Sequence, residues 1–412
     1  MKRSFRHMAL VATAAGTALT LGACSSSSSS SSGAPQASSA GGATASTATA
    51  DVAVSASSFT SDFAAMAQLK SIASKGKGLI GVLLPDTTTS ARYESFDRPY
   101  LTKAFQAAGL SSSEFKIDNA QGSAATMQTQ AEADITQGAS VLLIDAIDSG
   151  SGAAIEANAK AKGVQVIDYD RLVKGGSPGR TYVSFDNVAV GKLIGQGEVD
   201  CIGAWNVAKP NILVMDGDSS DNNATLFAQG YNGVLKSHFD DGSYVKVGEP
   251  AGTWTPSVAA TTFDQQYTAH PNINAVVTPN DDNANAVIAD LQKLNIPAKK
   301  FPTTGQDASL SGLQNILKGY QCGTVYKPIY LEAQGAAAVA LYLRAGQKAP
   351  AGLANGTTQD ATASSSVPSV LLTPVWVNAA NMQATVIKDG AVKPSELCIA
   401  AVSSACTSAG IS

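Results

Sequence analysis

Histidine is nearly absent from this chain. Three occur in 412 residues, and His238 and His270 stand far apart. Five cysteines are present, and their spacing does not resemble a zinc site, so a histidine–cysteine metal centre is excluded. There is no excess of positive charge. The formal net charge is −4, which argues against a nucleic-acid partner, since that would need a basic patch or stripe. Beyond the first two dozen residues no stretch is apolar enough to span a membrane. Cofactor motifs are missing as well. No G-x-x-x-x-G-K-[ST] phosphate loop occurs, and Gly191, Gly195 and Gly197 do not compose G-x-G-x-x-G, so no cofactor is expected. The acidic run 216–221 fails as a calcium loop, with Asp221 at the sixth position and Phe227 at the twelfth. No G-x-S-x-G stands near a histidine, which leaves paired carboxylates for glycoside cleavage as the one hydrolytic reading that spacing permits.

What the chain does have begins at its N-terminus. Lys2, Arg3 and Arg6 precede an apolar segment that runs to Leu21, the layout of a secretory signal. Leu21-Gly22-Ala23-Cys24 matches a bacterial lipobox, so Cys24 is the expected lipidation site and residues 1–24 the signal. The serine run 25–32 and the Gly/Ala/Thr/Ser-rich sequence after it cannot bury enough apolar area to fold, and 25–76 reads as a disordered tether with a lead-in, helical around Phe63-Ala64-Ala65-Met66. The protein is thus expected outside the cytoplasm, held to the membrane by a lipid. There, Cys201, Cys322, Cys398 and Cys406 suggest disulfides. Three connectivities are possible. Pairing Cys398 with Cys406 would staple the C-terminal tail, leaving Cys201–Cys322 as a long-range link.

With 412 residues and 44% hydrophobic composition the chain can fill two cores. From residue 79 to 170 it reads βαβαβαβ with short loops: apolar runs at 79–84, 114–118, 141–144 and 164–167, separated by helices. The pattern restarts after residue 191 with strands at 212–215, 244–247, 275–278 and 302–304. Between the two lies TYVSFDNVAVG (181–191), a strand end followed by Asp186-Asn187, which can cap a new helix. Two successive α/β units of similar size make this stretch a crossing between two lobes rather than one more loop in a single sheet. Gly191 would let the next helix begin close to the bend.

Polar residues gather just past strand C-termini, where open α/β sheets bind ligands. Arg92, Asp148, Arg171, Asn222, Asn223, Asn280, Asp281, Asp307 and Lys327 are charged or amide groups, and Tyr93 and Trp254 are flat aromatics. Charged groups form strong hydrogen bonds to hydroxyls, and aromatic faces cover the C–H side of a sugar ring. Any one of these residues could instead be a helix cap or a surface ion pair. Their coincidence at strand ends is the signal.

The motifs LLPDTTTSARY (83–93), VLLIDAIDSG (141–150), VIDYDRLV (166–173), YVSFDNVAVG (182–191), DSSDNNA (218–224), VVTPNDDNA (276–284), TGQDA (304–308) and TVYKPI (324–329) stand in an order that resembles the periplasmic sugar-binding proteins of ABC transporters, of the xylose- and multiple-sugar-binding type. The resemblance implies a periplasmic binding protein type I fold: α/β, two Rossmann-like lobes with parallel sheets joined by a three-segment hinge. It places the crossings near 185–186, 325–326 and 366–367. The lobes would then be 77–185 with 326–366, and 186–325 with 367–380, followed by a tail at 381–412. It also implies sugar contacts at Asp148, Trp254, Asn280, Asp307 and Lys327, with Arg92, Tyr93 and Asn222-Asn223 in the contacting loops and Arg171 bracing the cleft. The expected function is capture of a monosaccharide, xylose or else glucose or galactose, for an ABC permease, by a monomer that catalyses nothing. The rival functions are a protein that presents sugar to a membrane receptor kinase and a secreted glycoside-acting enzyme.

Overall fold

The computed structural model describes residues 53–87, 89–90 and 92–411. The expected signal segment, Cys24 and the serine run lie outside the described residues. In chain order the elements are α1 (Ala64–Ala67), α2 (Lys70–Ala73), β1 (Leu79–Leu84), α3 (Arg98–Ala107), β2 (Phe115–Asn119), α4 (Ala124–Thr136), β3 (Ala139–Ile144), α5 (Ser149–Ala161), β4 (Gln165–Tyr169) and β5 (Thr181–Phe185). Then follow α6 (Asn187–Ala204), β6 (Asn211–Val214), α7 (Asn222–Asp240), β7 (Val245–Gly248), α8 (Pro256–Ala269), β8 (Ala275–Val277), α9 (Asp281–Lys293), α10 (Leu310–Lys318) and β9 (Thr324–Tyr326). The chain ends with α11 (Ile329–Arg344), β10 (Gly356–Asp360), β11 (Ser365–Leu372), β12 (Val375–Val377), α12 (Pro394–Leu397) and α13 (Ser403–Ser408).

The first lobe is built on a sheet of order β10-β11-β5-β4-β3-β1-β2, parallel except for the β10–β11 hairpin. Its central strands are apolar on both faces because helices cover both: Val82, Leu83, Leu142, Leu143 and Ile167 are fully buried. One face is covered by α11, whose run of small residues 336–340 is buried throughout and lets the helix lie close to the strands. The lead-in, expected to be helical around Phe63–Met66, belongs to this core. Phe63, Met66, Leu69 and Ile72 recur at threes, and all pack into the same cluster as α11 and α3. That spacing keeps them near one helical face.

The second lobe carries the parallel sheet β7-β6-β8. It continues through single bridges, Val276 to Thr303 and Gln306 to Val325, to the antiparallel pair β9–β12. Helices α6 and α7 cross closely because a side chain at Gly191 would collide with the Phe227 carbonyl, and one at Gly230 with the backbone of α6. Gly191 therefore serves helix–helix approach, not the bend at the start of α6. The tail beyond residue 378 is packed rather than loose. Met382, Val386, Leu397, Val402 and Ile411 form a core with Leu313 and Ile316 of α10. Cys398 is bonded to Cys406, and Cys201 to Cys322, so both disulfides brace this lobe.

Three segments join the lobes. The first runs through Asp186 and the second through Lys327-Pro328, between β9 and α11. The third lies beyond residues 366–367. Ser369–Leu372 pairs in parallel with Tyr182–Phe185 of β5, so all of β11 belongs to the first lobe and the crossing is Thr373-Pro374. The β10 edge strand, which the polar sequence GTTQD concealed, is held from inside. Asp360 accepts from Arg180 Nη2 at 2.7 Å and from the Gly175 amide at 2.8 Å. Arg180 also donates to Asp168 at 2.9 Å, beside buried Glu156.

Burial, with Asp168 nearby, pushes the Glu156 carboxyl up to about 9. A carboxyl with a raised folded pKa favours folding while the unfolded chain is also protonated, and that advantage disappears as pH rises from about 4.5 to about 9. The urea midpoint of the wild type should therefore fall between pH 5 and pH 8.5. The neutral isostere Glu156→Gln should fall clearly less; parallel profiles would contradict this account.

Candidate functional site

Between the lobes lies a narrow cavity of about 30 Å³. Its walls come from strand ends of both lobes and from the second crossing. Arg92 follows β1, Asp170 and Arg171 follow β4, Asp221 and Asn223 open α7, Asn280 follows β8, Asp307 precedes β9, and Lys327 is the crossing residue itself.

Arg92 is the most heavily engaged side chain. Its Nε and Nη2 clamp Asp97 at 2.9 and 2.7 Å, Nη1 donates to Asp170 at 2.9 Å, and Nη2 also reaches Glu332 at 2.8 Å. Four of its five N–H bonds are thus committed to protein, leaving one for the cavity. Burial opposes the charge on Asp170, but Arg92, then Lys327 and Arg171, hold its carboxyl down to about 2. Glu332 behaves oppositely: burial, only partly offset by Arg92, pushes it up to about 8.

Arg171 spans the cleft. Its Nη2 donates to the Tyr93 hydroxyl at 2.7 Å, while Nε lies 3.4 Å from Asp145 in its own lobe and 3.3 Å from Asp221 in the other. Asp145 is buried, and that burial raises its carboxyl well above the usual range despite Arg171. Lys327 stands 3.5 Å from Asp170 and 3.7 Å from Asp307, one carboxylate from each lobe. Trp254 donates from Nε1 to Asp221 at 3.1 Å and packs its ring over Gly217, where a Cβ would collide. Phe227 meets the indole edge-on at 6.4 Å.

Of the eleven residues expected from sequence, eight line the cavity: Arg92, Tyr93, Arg171, Asn223, Trp254, Asn280, Asp307 and Lys327. Asn280 also caps α9, accepting from the Asn283 amide at 3.0 Å. The Asn223 amide accepts from Asn187 at 2.8 Å and donates to the Asp170 carbonyl at 3.0 Å, so it ties α7 to the first crossing. Three expected residues lie elsewhere. Asp148 is the N-cap of α5, its carboxylate accepting from the Ser151 amide at 2.8 Å and from the Ser151 hydroxyl at 2.6 Å. Asn222 sits on the first turn of α7 outside the cavity wall. Asp281 is buried behind it, accepting from Gln321 at 2.8 Å and the Ser309 amide at 2.7 Å, with burial pushing its carboxyl up to about 7.

Thr89, Ser90, Asp170, Asp221, Phe227 and Gln306 line the cavity without having been singled out. Asp170 and Gln306 stand in quoted strand-end runs beside chosen neighbours. Asp221 stood in the run tested as a calcium loop. Phe227 had no available signal, because an apolar residue within a helix reads as core. Among the described residues no cluster of three or more His, Cys, Asp or Glu could hold a metal ion.

Because Asp170 neutralises Arg92 and Lys327 in a fully buried setting, Asp170→Asn should lower the unfolding free energy by about 3–5 kcal/mol. The stabilisation from the depressed carboxyl is present above its unfolded value, near 3.8, and is lost as pH falls toward 2. Urea melts at pH 6 and pH 3 should thus separate wild type and variant most at pH 6. An equal separation at both values would speak against the pairing.

Residues 80–348 match the periplasmic binding protein domain. The chain is 38% identical over 285 residues to the D-xylose-binding periplasmic protein of Escherichia coli (strain K12), covering 68% of this chain and 82% of that one. It is 30% identical over 356 residues to the multiple sugar-binding periplasmic protein SbpA of Azospirillum brasilense, covering 81% and 97%. Among solved structures, a carbohydrate transporter solute-binding protein from Chloroflexus aurantiacus in complex with D-glucose superposes with a TM-score of 0.69 at 28% identity, covering 78% of this chain and 98% of that one.

Proposed function

The chain belongs to the periplasmic binding protein family, as a sugar-binding protein of ABC transporters and not an enzyme, and from that premise we propose that its cleft captures a single neutral monosaccharide, D-xylose first among candidates. The observation that carries this reading is the charge balance of the cavity wall. Three cations, Arg92, Arg171 and Lys327, face three carboxylates, Asp170, Asp221 and Asp307. An anionic or cationic ligand would upset that balance in a desolvated site. A polyol can accept from the cations and donate to the carboxylates without adding charge.

Binding couples to motion because the wall belongs to both lobes. A sugar held by Asp170 and Arg92 on one side and by Trp254, Asn280 and Asp307 on the other favours the closed arrangement through contacts that an open cleft lacks. Arg171–Asp221 and Ser90–Asp307 are protein contacts that already bridge the lobes, so the ligand adds to an existing bias. Delivery to an ABC permease follows from the family. In this reading the chain acts as a monomer, and Cys24 carries a lipid that holds it at the membrane outside the cytoplasm. The name of the E. coli relative supports xylose, and the C. aurantiacus complex supports glucose as the next candidate.

A thermal-shift screen of xylose, glucose, galactose, arabinose and ribose tests the ligand, since a ligand at 100 times its Kd stabilises by about 2.7 kcal/mol. Xylose should give the largest rise in Tm. Trp254→Ala and Asp307→Ala should each weaken binding at least a hundredfold by calorimetry. Asp148→Ala should leave affinity unchanged while destabilising the fold by about 0.5–2 kcal/mol as a lost cap. Absence of any shift with all five sugars would refute the monosaccharide reading.

A further inference from the structure

The cleft does not end at the first cavity. A second chamber of about 290 Å³ adjoins it, and Ser90, Arg92 and Asp307 belong to the walls of both. What stands at the shared wall is one hydrogen bond between the lobes, from Ser90 Oγ to Asp307 Oδ2 at 3.3 Å. Asp307 holds this position with a backbone φ of +97°, in a region that a non-glycine residue occupies only when its surroundings impose it.

The far wall is made by residues with no part in the first site. Phe96 comes from the first lobe, Leu310 from the start of α10, and Ala391 and Val392 from the packed C-terminal segment. That segment lies beyond the matched domain, which ends at residue 348. The chemistry of the walls limits the occupant. Asp281, Asp307 and Glu396 line the chamber, whereas Arg92, the one cation among its lining residues, spends four of its five N–H bonds on Asp97, Asp170 and Glu332, so an anionic group would meet mainly carboxylates. Phe96, half-buried, and Leu310, 40% exposed, supply apolar surface of the kind that covers the C–H face of a sugar ring.

We propose that the second chamber is a subsite for a second neutral sugar unit, so that the cleft accepts a disaccharide whose linkage runs where the Ser90–Asp307 bond now lies. This rests on the reading of the first cavity as a sugar site. The C-terminal segment is then part of the binding wall as well as a brace for the second lobe.

Calorimetry on the full chain with D-xylose, D-glucose, xylobiose and cellobiose tests it. At least one disaccharide should bind within tenfold of its own monosaccharide. Filling the chamber with Ala391→Trp should cut that disaccharide affinity at least tenfold and leave the monosaccharide unchanged. Leu310→Trp, at a partly exposed position, gives the same test if the first variant fails to fold. Disaccharides more than tenfold weaker than their monosaccharides, or filling variants that weaken both classes equally, would overturn the inference. Loss of binding for all four sugars would instead remove the sugar-site reading, and the second subsite with it.

Discussion

The pairing of Asp170 with Arg92 and Lys327 is the contact on which the rest of the site depends. Bringing a guanidinium and an ammonium out of water is strongly unfavourable unless each finds a carboxylate with good geometry. Arg92 finds Asp97 and Asp170 within 3 Å, and Lys327 finds Asp170 and Asp307 within 4 Å. The carboxylate that joins the two cations follows the C-terminal end of β4, one cation follows the same end of the parallel strand β1, and the other stands on a crossing segment. Satisfying the charges therefore also sets where the second crossing lies relative to β4.

Along the cleft the groups that bridge the lobes are polar. Asn223 connects α7 to the Asp170 carbonyl and to Asn187, Arg171 reaches Asp221, and Lys174 Nζ donates to the Ser219 carbonyl at 3.2 Å on the rim. Polar contacts of this kind can exchange for water when the cleft opens, whereas an apolar interface would resist parting. Behind that polar rim a single apolar cluster runs from Phe185 and Leu372 of the first lobe to Val190, Phe227 and Val325 of the second, so the side of the crossings stays packed. Rigid lobes with a wet seam are what hinge closure requires.

Much of this was legible in the chain. Apolar runs alternating with amphipathic helices give both sheets, and polar clusters at strand ends give most of the cavity wall. The failures share a cause. Asp148 reads like a ligand-binding carboxylate, but Ser151 three residues on is the partner of an N-cap, and only the fold decides between the two roles. Asp170 and Asp221 earn their importance from cations more than forty residues away, a relation that spacing does not carry. The third crossing and the β10 edge strand depend on which neighbour β11 chooses, and an eight-residue run with Pro368 in it does not announce that choice. Phe227 is one ring among many helix residues facing inward.

The number of crossings has a consequence for how the protein can be held. Three is odd, so the two ends of the described chain fall on opposite lobes: Val54 packs with the first core, and Ile411 with the core of the second. A load or a surface attached at one end therefore fixes one lobe and leaves the other as the moving arm. The distance between the two ends is a direct gauge of how far the cleft stands open.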